Sequence, residues 1–455
     1  MKNLTTRLRK RFRASPLNRR TLRLAVPVFL AMISQTVIQV TDTAMVGVLG
    51  ARELAAVGIC GIAFWTLLAL PMGFSMGVQA ITARRFGERN FQALGRILVS
   101  CSVFVVVFAA VLTPFLMLYS REIADVLSRD AAMVRIADAF LYIRFAGFGI
   151  FFLTFTLVWF FNGLGKMTVG MLASILQAGL NVFLNWVFIY GNLGAPAMGT
   201  EGAALASTLA GSAGLLLLIA YAFWDRDVRS YFAGGESPFS FAVLGDVMKV
   251  SLPPGLDNLL THVSFLGFYQ LADMLGFVAA ASTNIIISVM SIAFMPGFAF
   301  GITATTILGQ AMGAGKFRLA RHGTYRAALF AALLMGMMGL LFLAGGRDLL
   351  GLFTRDSRVV EDALTALVLV SVIQVADAYH MVLSSALRGA GLVYWVLIAY
   401  FIVAFFVMLP IAYLLGIRLE LGTTGLFLGL CTWIVSLACI FLWKFNRGDW
   451  VRSRI

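Results

Sequence analysis

Long apolar runs divided by short charged or glycine-rich breaks pattern the chain from end to end. Leu98 to Leu118, Val368 to Leu387 and Val393 to Leu415 are almost free of charge. At a helical rise of about 1.5 Å per residue, runs of about 20 residues cross a hydrocarbon core of about 30 Å. Each is therefore predicted to be a membrane-spanning helix. Cutting at every charged or Gly/Pro-rich break gives twelve such helices, beginning near Leu22, Leu54, Leu94, Ala131, Met167, Gly202, Val247, Ala279, Leu319, Val359, Val393 and Thr424. Composition supports this pattern: 60% of the 455 residues are apolar and 12% charged, against about 25% charged in a soluble domain. A soluble globule is excluded, and the predicted fold class is an all-α integral membrane protein.

The formal net charge of +14 would suggest a nucleic-acid partner in a soluble chain, but the placement of the charges argues otherwise. With the amino terminus inside, 26 of the 35 Lys and Arg residues fall on that side, among them Arg84, Arg85, Arg89, Lys166, Arg226, Lys316, Arg388 and Lys444. Nine fall outside: Arg52, Arg121, Arg129, Arg135, Arg144, Arg347, Arg355, Arg358 and Arg418. The asymmetry follows the positive-inside rule. It predicts an inner (plasma) membrane location with both termini in the cytoplasm, lipid as surroundings and no nucleic-acid partner. The apolar run after Arg23 is too long for a signal peptide and lacks a small-x-small cleavage site, so it reads as an uncleaved first helix. Cys60, Cys101, Cys431 and Cys439 lie in apolar runs without metal spacing and read as buried thiols.

An internal repeat divides the chain. Arg121-Glu-Ile-Ala-Asp-Val-Leu-Ser-Arg-Asp130 matches Arg347-Asp-Leu-Leu-Gly-Leu-Phe-Thr-Arg-Asp356 at an offset of 347 − 121 = 226. Pro27 and Pro253, Phe91 and Phe317, and the turns Gly163-Leu-Gly165 and Gly389-Ala-Gly391 share that offset. Six helices per half make the repeats parallel, as two pseudo-symmetric six-helix bundles with a cavity between them. The expected organisation is an amino-terminal lobe over residues 1–224, a cytoplasmic linker over 225–246 containing Gly234-Gly-Glu-Ser-Pro238, a carboxy-terminal lobe over 247–445 and a tail over 446–455.

Ionisable groups inside apolar helices are costly and mark cavities or ion paths. Asp42 sits in the first helix among Gln35, Gln39, Thr41 and Thr43. Asn181 and Asn185, spaced i, i+4, share one face of the fifth helix. Together they form a candidate site for a proton or, through oxygen atoms, a sodium ion. The competing reading has Asp42 capping a helix or facing outside water. On the tenth helix Gln374, Asp377, His380, Ser384 and Arg388 form one stripe, with Asp377 about 16 Å from Arg388 and so near the membrane centre. His380 either shares a proton with Asp377 or is a hydrogen-bonded packing residue. On the seventh helix Asp257 follows Pro253-Pro254 and either serves an ion or, with Lys249 about 12 Å away, caps the cytoplasmic end or pairs with a base. Asn284, Ser288 and Ser291 make a milder stripe suited to helix-to-helix hydrogen bonds. Gln39, Asn258, Asn284, Gln374 and His380 are candidate substrate contacts, and aromatic rings would suit an organic cation. Gly309-Gln-Ala-Met-Gly-Ala-Gly-Lys-Phe317 fails as a phosphate-binding loop in both spacing and its missing hydroxyl residue.

These residues resemble the multidrug and toxic compound extrusion (MATE) family over essentially the whole chain. The resemblance rests on Val40-Thr-Asp42-Thr-Ala-Met-Val-Gly47, Asn181-Val-Phe-Leu-Asn185-Trp-Val-Phe-Ile-Tyr-Gly191 with Gly194-Ala-Pro196-Ala-Met-Gly199-Thr-Glu-Gly202, Gly309-Gln-Ala-Met-Gly-Ala-Gly315, and Gln374-Val-Ala-Asp377-Ala-Tyr-His-Met followed by Ala386-Leu-Arg-Gly-Ala-Gly391. It implies two bundles around a cleft that opens alternately to each side, and places the chain in the NorM/DinF-like bacterial branch. By the resemblance Asp42, Asn181 and Asn185 match the amino-terminal cation site, and Asp377 looks like the tenth-helix acid of the NorM-like branch. The branch's seventh-helix acid falls on Asp257 or near Thr261-His262. The chain departs from the family in reading Gly391-Leu-Val-Tyr where Gly-Asp-Thr and a proline are common, and in carrying His380 where Gln is common. The implied function is a monomeric antiporter, not an enzyme, exporting cationic small molecules in exchange for protons or sodium ions without a cofactor. A flippase for a lipid-linked saccharide is the alternative within transport. An intramembrane lipid enzyme lacks a convergent Ser/His or His/Asp set.

Overall fold

The computed structural model describes residues 16–232 and 238–453, which form helices and turns and no strand. In order, the helices are α1 (Pro16–Gly47), α2 (Ala51–Leu67), α3 (Ala69–Gly87), α4 (Phe91–Leu118), α5 (Ser120–Leu127), α6 (Ala131–Ala146), α7 (Phe148–Leu164), α8 (Met167–Tyr190), α9 (Thr200–Trp224), α10 (Arg226–Ser230), α11 (Phe241–Met274), α12 (Phe277–Gly313), α13 (Phe317–Gly351), α14 (Ser357–Gly389), α15 (Val393–Arg418) and α16 (Gly422–Arg447). α6, α8 and α15 begin at the expected residues. α1 and α11 begin earlier, because Pro16 is pre-set for a first helical turn and the residues from Phe241 to Asp246, mostly apolar, are already helical.

Among the described residues nine helices are long and apolar enough to cross a membrane, and the bent pairs α2/α3 and α6/α7 raise the number to eleven. The twelfth expected span, α11, is a continuous 34-residue helix, but Asp257, Asn258, His262 and Gln270 dilute its apolar content. The breaks of 42° in α2/α3 and 47° in α6/α7 interrupt runs that hydropathy reads as continuous. α15 widens to π geometry over Ala404–Met408 and Leu414–Arg418, on either side of Pro410. Proline removes a backbone donor, and local adjustments of this kind re-satisfy the ladder.

The chain forms two compact units. One runs from Pro27 to Gly255; the other joins the start of α1, as far as Val26, to the helices from Leu256 onward. In the first, α8 and α9 approach so closely that a Cβ on Gly202 would lie 2.5 Å from the Phe188 carbonyl oxygen, and Phe148, Phe152, Phe160 and Phe161 fill the interior. In the second, α12, α13 and α14 meet along buried alanines such as Ala327, Ala331, Ala363 and Ala378, small residues that let membrane helices pack backbone to backbone. Phe427, Phe441 and Phe445 of α16 close that core.

The 226-residue repeat is present in the backbone. Arg89 (φ 59°) and Gly315 (φ 69°), Gly165 (φ 81°) and Gly391 (φ 96°), and Gly194 (φ 82°) and Glu420 (φ 54°) are pairs of left-handed residues at that offset. Asp130 caps α6 by accepting from the Ala132 N–H at 2.8 Å, and Asp356 caps α14 by accepting from the Arg358 N–H at 3.0 Å. The halves differ where α2/α3 and α6/α7 are broken while their counterparts α12 and α14 are each one continuous helix.

Part of the expected linker is helical: Asp225 caps α10, and α11 begins at Phe241. Lys166 donates to Asp225 at 2.5 Å and Asp227 at 3.0 Å, and the Tyr221 hydroxyl donates to Asp225 at 2.6 Å. The Gly234-Gly-Glu-Ser stretch, the basic residues of positions 1–15 and Arg454 lie outside the described residues. Cys60, Cys101 and Cys431 are buried, but Cys439 is exposed on α16, correcting the expectation of four buried thiols.

Candidate functional site

In the amino-terminal unit α1, α8 and α9 bring four polar side chains together. Asn185 donates to Asp42 Oδ1 at 2.5 Å and to Asn181 Oδ1 at 3.2 Å. Asn181 donates to Ser207 Oγ at 3.1 Å, and Ser207 donates to Asp42 Oδ2 at 3.4 Å. The ring is closed. Asn181 and Asn185 are fully buried and Asp42 half-buried, and Asn185 Oδ1 is a buried acceptor without a partner. Asp42 is thus neither a helix cap nor a freely solvated acid. Close by, Gln35 donates to Gln177 at 3.3 Å.

Arg144 overturns part of the charge reading. The charge pattern assigns it to an outside segment, yet it lies in the last turn of α6, near the middle of the bent α6/α7 span. Its guanidinium sits 4.3 Å from the Phe64 ring centroid and 4.7 Å from that of Phe151, a cation–π sandwich. Its Nη1 is buried without a hydrogen-bond partner, and its charge acts on Asp42. The bend at Gly147 places it there.

The carboxy-terminal unit builds its cluster mainly on α14. His380 Nδ1 lies 2.9 Å from Asp377 Oδ1, and His380 Nε2 lies 2.7 Å from the Tyr400 hydroxyl of α15. Tyr400 donates to Ser384 Oγ at 3.2 Å, and Ser384 donates to the Met381 carbonyl oxygen at 3.0 Å. Trp433 and Phe441 of α16 enclose the imidazole, at ring-centroid distances of 5.4 and 6.0 Å. Arg388 is ion-paired with Asp257 of α11 and lies 5.1 Å from the Tyr400 ring centroid. Of the two readings of Asp257, the structure shows pairing with a base, but the base is Arg388. Lys249 is exposed and lies near Asp246 instead.

This cluster is under-satisfied. Asp377 Oδ2, Asp257 Oδ1, Trp433 Nε1 and both polar atoms of Gln374 are buried without a partner. Buried polar groups normally find partners, and exceptions concentrate where a site awaits an ion, water or substrate. Asp377 is 2% and Gln374 0% exposed.

The remaining candidates are scattered. Gln39 is exposed on α1 and Asn258 half-buried on α11. Asn284, Ser288 and Ser291 do not bond neighbouring helices as the sequence suggests. They are exposed and donate to α12's own carbonyls, at Ala280, Asn284 and Ser288 respectively, the nearest acceptors to a short polar side chain on an open face. The sequence reading missed Ser207, Arg144, Tyr400 and Trp433. Tyr400 shares the apolar start of α15 with Tyr394 and Trp395, which do not single it out, and Ser207 is inconspicuous among the Ala, Ser and Thr residues of α9.

Comparison with known proteins agrees with this architecture. The MatE family model matches residues 27–187 and again 253–414, two copies whose starts are 253 − 27 = 226 residues apart. A probable multidrug resistance protein NorM of Thermotoga maritima is 25% identical over 95% of this chain and 93% of its own. One from Mannheimia succiniciproducens is 26% identical, with 93% and 92% covered. Among solved structures, a MATE protein in complex with MaL6 superposes with a TM-score of 0.87 at 23% identity, covering 98% of this chain and 99% of that one. An outward-facing multidrug resistance MATE family transporter of the MOP superfamily gives 0.86 at 23%, with 97% and 98% covered. With its duplicated bundle and two copies of the family model spanning most of its length, the chain belongs to the MATE family of membrane transporters.

Proposed function

We propose that this protein is a secondary antiporter that exports organic cations, drugs among them, across the bacterial inner membrane in exchange for a proton or a sodium ion. Both termini face the cytoplasm in this reading, and no cofactor takes part. The observation that carries it is the pair of carboxylate clusters held inside apolar helices, with Asp377 keeping one buried oxygen free. The names of the relatives, multidrug resistance proteins, support the substrate class.

The cycle follows from competition. An organic cation and a coupling ion are both attracted to the same carboxylate, and a ligand moves a conformational equilibrium only through its different affinity for the two states. Occupation by one cation in one state and by the other in the alternate state couples their fluxes. Exchange of one inward proton for one outward monovalent cation is electroneutral and draws nothing from the membrane potential, worth about 2.3 kcal/mol per charge per 100 mV. Asp42 is the second coupling group, with Asn181 and Asn185 supplying amides that hold its carboxylate. Gln374 offers a buried amide to a substrate beside Asp377.

Dye efflux from everted vesicles tests the reading. Asp377→Asn is expected to abolish ethidium efflux while the purified variant elutes as a single folded species. Efflux at the wild-type rate by that variant would sink the scheme.

A further inference from the structure

The hydrogen-bond directions around His380 count protons. Ser384 commits its hydrogen to the Met381 carbonyl oxygen, so it can only accept from Tyr400. Tyr400 has one hydrogen, and giving it to Ser384 leaves its oxygen as an acceptor toward His380 Nε2. The hydrogen in that 2.7 Å contact must then come from the imidazole. The 2.9 Å contact between His380 Nδ1 and Asp377 Oδ1 needs a further proton, carried by either partner. All four contacts are made together only when Asp377 and His380 hold one proton more than a carboxylate and a neutral imidazole.

We propose that His380 and Asp377 jointly hold the transport proton of the carboxy-terminal unit, and that the Tyr400 hydroxyl switches from Ser384 to His380 Nε2 when it leaves. The proposal rests on the antiport reading and narrows its coupling ion in this unit to a proton. Proton balance is simple. On loading, Nε2–H donates to Tyr400. On release, His380 keeps one hydrogen on Nδ1, directed at the Asp377 carboxylate, and Tyr400 turns its hydrogen to the bare Nε2.

The surroundings make this proton decisive. The groups facing His380 are Asp377, Ser384 and Arg388 on α14, Tyr400 on α15 and Trp433 on α16, and Asp257 of α11 is within electrostatic reach. α12 contains no titratable side chain, α13 carries its own from Arg318 to Arg326 and at Arg347 and Asp348, and α16 adds the buried Cys431 near Trp433. Arg388 and Asp257 cancel as an ion pair. The interior is therefore neutral when the proton is bound and singly negative when it is lost, which is the state that favours an organic cation. A sodium ion would have to displace the imidazole from one oxygen of the same carboxylate. Imidazole is the side chain whose ordinary titration lies closest to physiological pH.

The test uses full-length wild-type protein in lipid nanodiscs with ¹⁵N-labelled histidine. Its three histidines give three imidazoles, and that of His380 is assigned by its loss in His380→Gln. Nε2 of His380 is expected to be protonated in mildly acidic buffer, and to lose its proton as the pH is raised or when ethidium is added at fixed pH. In proteoliposomes His380→Gln should displace the midpoint of the pH–efflux profile by about one pH unit or more, whereas a purely packing role would lower the amplitude and leave the midpoint. An Nε2 indifferent to both pH and ethidium, with an unmoved midpoint, overturns the proposal. Absence of gradient-driven efflux in the wild type would instead defeat the antiport reading, and the imidazole titration is read independently of it.

Discussion

The two halves share a frame and differ in where they place their chemistry. At the 226-residue offset, Asp42 corresponds to Phe268, Asn181 to Val407, Asn185 to Ile411 and Ser207 to Trp433. In the other direction Asp377 corresponds to Phe151, Gln374 to Phe148, Tyr400 to Ser174 and Arg388 to Asn162. Each of these positions is matched by an apolar or uncharged residue in the other half. Turns and caps have been kept, because a left-handed residue or a capping aspartate is needed wherever the chain reverses. The interior positions have diverged. The amino-terminal cluster hangs on α1, α8 and α9 and the carboxy-terminal one on α14. The first acid feels a permanent cation, Arg144, held between Phe64 and Phe151; the second is bonded to an imidazole. Duplication thus supplied a scaffold with two independent interiors, and only the second pairs its acid with a group that readily gains and loses a proton.

Removing each arginine in turn is the severest trial of that contrast. Arg388→Gln leaves Asp257 as a stranded charge at 3% exposure, and breaking one side of a buried pair costs about 3–5 kcal/mol. Arg144→Gln should cost less, because Asp42 keeps its bonds from Asn185 and Ser207. Thermal unfolding of the two variants in detergent ranks them. Equal losses would mean that the two arginines do the same work.

A smaller effect distinguishes the halves at the turn that carries Lys166. Burial lowers the Lys166 ammonium pKa, but the Asp225 and Asp227 carboxylates outweigh it and push it up to about 12. Burial likewise opposes ionisation of Asp225, but hydrogen bonds from Lys166, Tyr221 and the Val228 N–H outweigh it and hold its pKa below the usual carboxylate range. The lysine's contribution is complete below its ordinary pKa and fades as pH climbs toward 12. The aspartate's is complete above the usual carboxylate range and fades as pH falls through its lowered value. Lys166→Met should therefore lower the unfolding temperature by a constant amount between about pH 6 and 9, with the difference shrinking in acid. The positions corresponding to Lys166 and Asp225, Leu392 and Val451, carry no charge, so Leu392→Met should show no such pH dependence.

Much of this was legible in the residues. Asp42 and Asp377 stand out because a charge in an apolar run is expensive, and Asn181–Asn185 and Asp377–His380 lie at spacings that one helix face imposes. The repeat was legible because its turn glycines and the Arg-Asp ends of two segments recur in register. Partners on other helices were not. Asp257 and Arg388 are 388 − 257 = 131 residues apart, and no periodicity joins them. Tyr400 and Ser207 are hydrogen-bonding residues in helices whose hydropathy hides them. Arg144 was misplaced because hydropathy treats a charge as a boundary, whereas two phenylalanine faces and a 47° bend allow one within a span.

Ethidium efflux from proteoliposomes under separately imposed proton and sodium gradients tests the central claim, that an ion held by buried carboxylates drives export. A proton gradient alone is predicted to drive efflux, with Asp377→Asn abolishing it and a sodium gradient alone giving none through the His380-bonded site. Efflux that ignores both gradients, or that persists undiminished in Asp377→Asn, would contradict the account.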